Sequence, residues 1–335
     1  MKTVIIGLGC ISQTHIWAIQ KGSFTKIAAV CDIREDRIQS ARESLNDSNV
    51  REYTDYRKMI DEVQPDVVHV CTPHYLHCEM AVYAMRHGAH VYLEKPAAMN
   101  AEQAMEIVKV SEETGKKVCV SFQNRVIPTS DTAKKYIEEQ KLGKLLGVRG
   151  YMAWNRQGDY YTKSGWRGTW EKEGGGVLMN QSIHTLDLLY YFGGKVKDIQ
   201  GSVALRKNKD TIEVEDTAEA TIWFESGATG IFYATNCNVR DSQVELEIYC
   251  EKGRLLLSND RLYTDEGNGL CEVSCNDDYT KTVGKACWGN GHYMMMSRFY
   301  SAISGGSDYY CDIRDAVPVL EMIGGIYSTS AVKLR

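Results

Sequence analysis

Three short clusters in the chain have the residue types needed to move a hydride and a proton. Gly7-Leu8-Gly9-Cys10-Ile11-Ser12 directly follows an apolar, β-branched run and opens a helical stretch. In that setting the first glycine allows a tight turn. The second lets a pyrophosphate approach backbone N–H groups at a helix N-terminus. Asp32 ends the next apolar run, about 20 residues beyond Gly9, where a carboxylate accepts hydrogen bonds from adenosine ribose hydroxyls. Its charge repels a 2′-phosphate, so NAD is expected in preference to NADP. Arg34 complicates this, because a nearby guanidinium either binds that phosphate or stacks on adenine. The plain alternative for Asp32 is a helix N-cap.

Hydride transfer from a carbinol needs nicotinamide held face-on, a base for the hydroxyl proton and stabilisation of alkoxide character. Lys95, in Glu94-Lys95-Pro96 at the end of an apolar run, supplies positive charge beside such an oxygen; otherwise it is a surface lysine. Asn180, His184 and Asp187 are spaced i, i+4 and i+7, which places them near one face of a helix predicted over 178–192. His184 titrates near neutral pH and suits acid/base work, although a histidine at such a place is often a satisfied core residue. Asp187 suits orienting His184 or tethering the helix.

The elements that must position these groups follow from the periodicity. Thr3–Ile6, Ile27–Cys31, Val67–Cys71, His90–Leu93 and Val118–Ser121 read as strands, with helical stretches between them. Strict alternation implies parallel strands with right-handed crossovers and helices on both faces, a doubly wound α/β domain over residues 1–121. After 121 the rhythm changes. Strand candidates at 145–154, 196–205, 217–224, 230–234, 244–250 and 254–257, flanked by helices, imply an α+β domain over 122–335 with one open, mostly antiparallel sheet.

Composition narrows the function classes. The 335 residues, 43% hydrophobic and 25% charged, suit two globular domains. A net charge of −5 gives no global basic field for nucleic acid or an anionic membrane. No apolar run reaches the length of a bilayer span, and the N-terminus lacks a leader pattern, so a cytoplasmic protein is expected. Eleven cysteines, an odd number without a CxxC pair, read as reduced and structural. His74, His77 and Cys78, or His87 and His90, are not completed by further ligands, so no metal is expected.

The Gly7–Gly9 turn, Thr72-Pro73-His74-Tyr75-Leu76-His77, Glu94-Lys95-Pro96 and the block Gly174-Gly175-Gly176-Val177-Leu178-Met179-Asn180-Gln181-Ser182-Ile183-His184-Thr185-Leu186-Asp187 occur in that order. Together they resemble the glucose-fructose oxidoreductase / inositol dehydrogenase / rhizopine catabolism (Gfo/Idh/MocA) family over nearly the whole chain. Trp166-Arg167-Gly168-Thr169-Trp170 is similar to the branch that oxidises sugars at C3, which includes UDP-N-acetylglucosaminuronate 3-dehydrogenases.

The resemblance implies NAD(P)-dependent oxidation or reduction of a carbohydrate alcohol in a homodimer or homotetramer, with the active site between domains. It carries cofactor contact onto Gly7, Gly9, Cys10, Ile11, Asp32, Arg34, Thr72, Pro73, His77, Glu94 and Lys95. It makes Lys95 the group beside nicotinamide and substrate hydroxyl, often with a cis bond to Pro96, and His184 the proton acceptor. Where the family usually has an aspartate, this chain has Asn180, which orients a sugar but cannot exchange protons as a carboxylate does. Arg125, Arg156, Tyr160, Trp166, Arg167 and His292 are further substrate candidates, with domain-interface packing as the alternative. Two other functions fit the same residues: a redox glycosidase that holds its NAD, and a non-catalytic nucleotide-gated sensor.

Overall fold

The apolar runs of the first half form a parallel sheet in the computed structural model, which describes residues 1–275 and 290–334. The order along the chain is β1 (Lys2–Ile6), α1 (Ser12–Gly22), β2 (Lys26–Cys31), α2 (Glu35–Leu45), β3 (Arg51–Tyr53), α3 (Tyr56–Val63), β4 (Val67–Val70), α4 (His77–Arg86), β5 (His90–Leu93), α5 (Ala101–Thr114) and β6 (Val118–Val120). The strands lie in the order β3-β2-β1-β4-β5-β6, so the chain reverses direction across the sheet between β1 and β4. Ligands of doubly wound sheets bind at the carboxyl ends of strands beside such a reversal. Val4, Ile5, Val67, Val68 and Val91 are inaccessible to solvent, consistent with helices on both faces. The short pair β3 and α3 was not foreseen. Arg51 and Glu52 are exposed, so this edge strand lacks the apolar run that marks the others.

The second half continues with α6 (Pro128–Glu138), β7 (Leu145–Ala153), α7 (Asp159–Thr162), α8 (Ile183–Gly193), β8 (Val196–Ala204), β9 (Thr217–Phe224), β10 (Thr229–Thr235), β11 (Glu245–Cys250), β12 (Gly253–Ser258), β13 (Arg261–Asp265) and β14 (Cys271–Val273). Its eight strands run β14-β13-β12-β11-β7-β10-β9-β8, antiparallel throughout except that β10 pairs parallel with β7. Two helices follow, α9 (Gly291–Ile303) and α10 (Ile313–Thr329).

The chain forms two compact units, Met1–Val126 with Asp278–Ala316, and Ile127–Asp277 with Val317–Arg335. This corrects the expected division at residue 121. The first boundary falls within a few residues, but the stretch containing α9 returns to the first unit, where α9 packs on α1. Its apolar side chains Met295, Met296 and Phe299 are fully buried there. A helix late in the chain carries no local mark of which sheet it will cover.

Candidate active site

In the first unit the turn after β1 is built for close approach. Gly7 has φ +87°, and a Cβ there would lie 2.7 Å from the carbonyl oxygen of Cys71. Only glycine fits. A Cβ on Gly9 would meet nothing within 4 Å, so the backbone faces open space where a phosphate can approach. Cys10 and Ile11 lead into α1, whose N-terminus has no side-chain cap. Its first-turn N–H groups suit an anion.

Asp32 is buried and braces this turn. It accepts a hydrogen bond from the Leu8 N–H at 2.7 Å and one from the Arg34 N–H at 2.9 Å. The helix that follows is flanked by Arg34, so Asp32 is not its N-cap. The Arg34 guanidinium is exposed and paired with Asp36. The turn, the uncapped helix and the carboxylate fit the pyrophosphate and ribose of NAD. When bound, NAD supplies the hydride acceptor.

At the neighbouring strand ends, Thr72, Pro73 and the 94–96 segment are tied together by His77. Its Nδ1 lies 2.7 Å from the Pro96 carbonyl and its Nε2 2.8 Å from the Thr72 carbonyl. Buried with both ring nitrogens facing backbone, His77 holds these loops in register rather than presenting a polar atom to a cofactor. The Lys95–Pro96 bond is cis. Lys95 is half-buried, and its N–H donates to Glu94 Oε2 at 3.3 Å.

Two substrate candidates are corrected in this unit. Arg125 is 2% exposed and donates to the Tyr309 hydroxyl and the Asp315 carbonyl, with the Asp315 carboxylate 3.4 Å away. It is a buried tie between the end of the first segment and the returning one. His292 opens α9 as expected, but its ring is 2% exposed and its Nε2 lies 3.5 Å from Glu94 Oε1. His15 Nε2 reaches the same oxygen at 2.9 Å. Burial alone would raise the Glu94 carboxyl, but hydrogen bonds from His15 and His292 outweigh it and hold the group well below the usual range. Among the described residues, His15, Glu94 and His292 are one set whose donor atoms converge as metal ligands do. They are distant in sequence, which is why their grouping was not foreseen.

In the second unit α8 begins at Ile183, not 178, so Asn180 lies on the preceding turn and only His184 and Asp187 share the helix. Both His184 and Asn180 are half-buried. The Asn180 amide donates to Glu173 Oε1 at 2.6 Å, and the Gly168 N–H donates to Glu173 Oε2. Glu173, 1% exposed, was not among the sequence candidates. Burial lifts its carboxyl to about 7, against the pull of those hydrogen bonds. Glu215, also lifted to about 7 by burial, accepts the N–H groups of Gly176 and Leu178 and the Tyr327 hydroxyl. It pins the glycine turn beneath Asn180.

Tyr160 accepts a hydrogen bond from Gln181 at 2.7 Å, and Gln181 accepts one from Asn236. The Arg167 guanidinium lies 4.4 Å above the Tyr160 ring and 5.0 Å from the Trp166 ring. Arg156 is paired with Asp241. Tyr160, Trp166 and Arg167 therefore come together as one aromatic and cationic wall on the second unit. Gln181, Asn236 and Glu173 complete the polar network behind it.

The N-terminal model of the family, described as oxidoreductase family with an NAD-binding Rossmann fold, matches residues 1–122, and the Gfo/Idh/MocA C-terminal domain matches 130–256. The chain belongs to the Gfo/Idh/MocA family. Its first unit is that family's NAD-binding domain. Among individual relatives, the chain is 26% identical to the D-glucoside 3-dehydrogenase of Escherichia coli, covering 100% of this chain and 97% of that one. It is also 26% identical to a glycosyl hydrolase family 109 protein of Porphyromonas gingivalis, over 78% of this chain and 55% of that one. Among solved structures, the WlbA dehydrogenase of Bordetella pertussis, in complex with NADH and UDP-GlcNAcA, aligns with a TM-score of 0.84 at 26% identity. That alignment covers 98% of this chain and 96% of the other.

Proposed function

We propose that this Gfo/Idh/MocA oxidoreductase uses NAD to oxidise a secondary hydroxyl of a sugar, glycoside or sugar nucleotide, at C3. The observation that carries the reading is the segment around His184. An imidazole able to take a proton opens α8 one turn after an amide fixed by the buried Glu173. Lys95 supplies positive charge at the substrate oxygen, His184 takes the hydroxyl proton, and Asn180 orients the sugar. Tyr160 and Trp166 offer faces for sugar C–H groups, and Arg167 a fork for a carboxylate or phosphate. The end-to-end similarity to a glucoside 3-dehydrogenase supports the same reading. Asp32 favours NAD over NADP; equal affinity for the two by calorimetry would reverse that preference.

The test is a panel of free sugars, glycosides and sugar nucleotides with NAD, read at the absorbance of NADH and by product mass. Accumulating NADH and a product two hydrogens lighter supports the dehydrogenase. The family 109 relative favours one second reading, a glycosidase that oxidises transiently and reduces back. It would cleave glycosides with no net NADH.

The second unit's sheet supports self-association. Helices α8 and α10 pack on one face, as shown by Gly150 against Thr185 and Gly201 against Ile326. On the other face Trp223, Ile231, Tyr233 and Tyr249 are 37–57% exposed. A second copy covering this face gives a dimer or tetramer. A light-scattering mass equal to the 37.7 kDa chain would refute it. A cytoplasmic location fits the described cysteines, all of which are free, and no helix of the described residues is long and apolar enough to cross a membrane.

A further inference from the structure

A buried hydrogen-bonded chain in the first unit takes no part in the scheme above. From Glu94 Oε1 it passes to His15 Nε2 at 2.9 Å, then from His15 Nδ1 to His69 Nδ1 at 2.8 Å. His69 Nε2 reaches the Tyr300 hydroxyl at 2.8 Å, Tyr300 meets Thr3 Oγ1 at 2.9 Å, and Thr3 meets Thr25 Oγ1 at 3.0 Å. Thr25 donates to the Met1 carbonyl at 2.8 Å. Thr3, His15 and His69 are wholly buried and Tyr300 nearly so, whereas Thr25 is half-exposed. At the inner end, Glu94 Oε2 accepts the N–H of Lys95. The chain thus crosses the domain from the start of β1 to the end of β5.

We propose that this chain is a proton relay that carries the proton released by substrate oxidation from Glu94 to solvent at Thr25. The proposal rests on the dehydrogenase reading, in which the carbinol gives hydride to NAD and its hydroxyl proton to the protein, yielding ketone, NADH and one proton. Every link has a donor and an acceptor in both directions. With His15 doubly protonated, His15 donates to His69, His69 to Tyr300, Tyr300 to Thr3, and Thr3 to Thr25. One hop along each link puts the Thr25 proton into water and leaves His15 neutral, with every bond reversed. The hydroxyls then turn and the imidazoles change tautomer as the chain refills through Glu94. The other titratable groups against it are His292 on Glu94, Cys71 at 3.4 Å from His15, and Tyr92 stacked on His69. Burial keeps the Cys71 thiol and the Tyr92 phenol protonated, so neither drains the chain.

Tyr300→Phe keeps the ring that stacks on Phe24 and removes one link; Thr3→Val removes another. Stopped-flow traces of NADH and of a pH indicator should coincide in the wild type. In both variants proton release should lag NADH by about tenfold or more, with NAD affinity within about twofold of wild type. Coincident traces in both variants would overturn the relay. So would a stoichiometric divalent metal in the purified protein, since His15 Nε2 would then be a ligand and not a donor. If the wild type forms no NADH with any carbohydrate, the dehydrogenase reading fails on its own. The relay is then judged by exchange of the His15 and His69 ring N–H protons in NMR of the unliganded protein. Exchange slowed about tenfold in both variants supports it; unchanged exchange refutes it.

Discussion

Glu94 in the first unit and Glu173 in the second are equally hidden, 5% and 1% exposed, yet their acidities move in opposite directions. Glu94 faces two imidazoles, which donate to it and hold it ionised. Glu173 is met by an amide and a backbone N–H, too little to offset burial, and is lifted to about 7. Burial therefore does not decide the protonation state of a carboxyl; the partners it is buried with do. The first unit keeps a fixed anion behind Lys95. The second keeps a carboxyl that changes charge near neutrality behind Asn180.

Removing the fixed anion should have the largest effect. Glu94→Gln is expected to lose about 3 kcal/mol of stability at neutral pH, because a buried charge-assisted bond to His15 is broken. Glu173→Gln should lose far less, since the amide replaces a carboxyl that is half protonated there. Equal losses in urea unfolding would remove the distinction between the two sites.

The pH dependence should separate them next. The folded pKa of Glu173 and Glu215, about 7, lies above the ordinary 4.5, so the folded protein holds protons that the unfolded chain has released. Their stabilising contribution is present below pH 4.5 and is lost as pH rises toward 7. Glu94 runs the other way, stabilising above the ordinary carboxylate pKa and failing only in acid. Glu173→Gln or Glu215→Gln should each flatten the stability curve between about pH 5 and pH 8, by on the order of 3 kcal/mol. Melting curves across that range are the check.

Catalysis sharpens the comparison further. Lys95→Met and His184→Ala should both bind NAD nearly as well as wild type, yet lose turnover by a factor on the order of 10². A His184→Ala enzyme with wild-type kcat at neutral pH would hand the proton to Lys95 instead. The smallest effect is expected at Asn180→Ala, which should raise KM at least as much as it lowers kcat if the amide only orients the sugar.

Local chemistry made much of this molecule legible before folding. The glycine turn, Asp32, the cis Lys95–Pro96 segment and the alternation of strands and helices are set by neighbours in sequence, so the sequence signals them. The ordered motifs likewise identify the family. The residues read wrongly share one cause. Arg125, His77 and His292 looked like reactive polar groups, and their types were correct for that. What the chain could not display is that each is buried against a partner contributed by a distant segment: Asp315 for Arg125, the Thr72 and Pro96 carbonyls for His77, Glu94 for His292.

The sequence by itself determined which groups are present and the local turns that expose or cap them, because those depend on backbone sterics within a few residues. Tertiary structure alone decided which groups are charged. Whether Glu94 ionises or Glu173 holds its proton depends on dielectric and on donors brought together across the fold, as His15 and His292 are on Glu94 and Asn180 is on Glu173. Electrostatic energy depends on distance in space, and spacing along the chain does not report it.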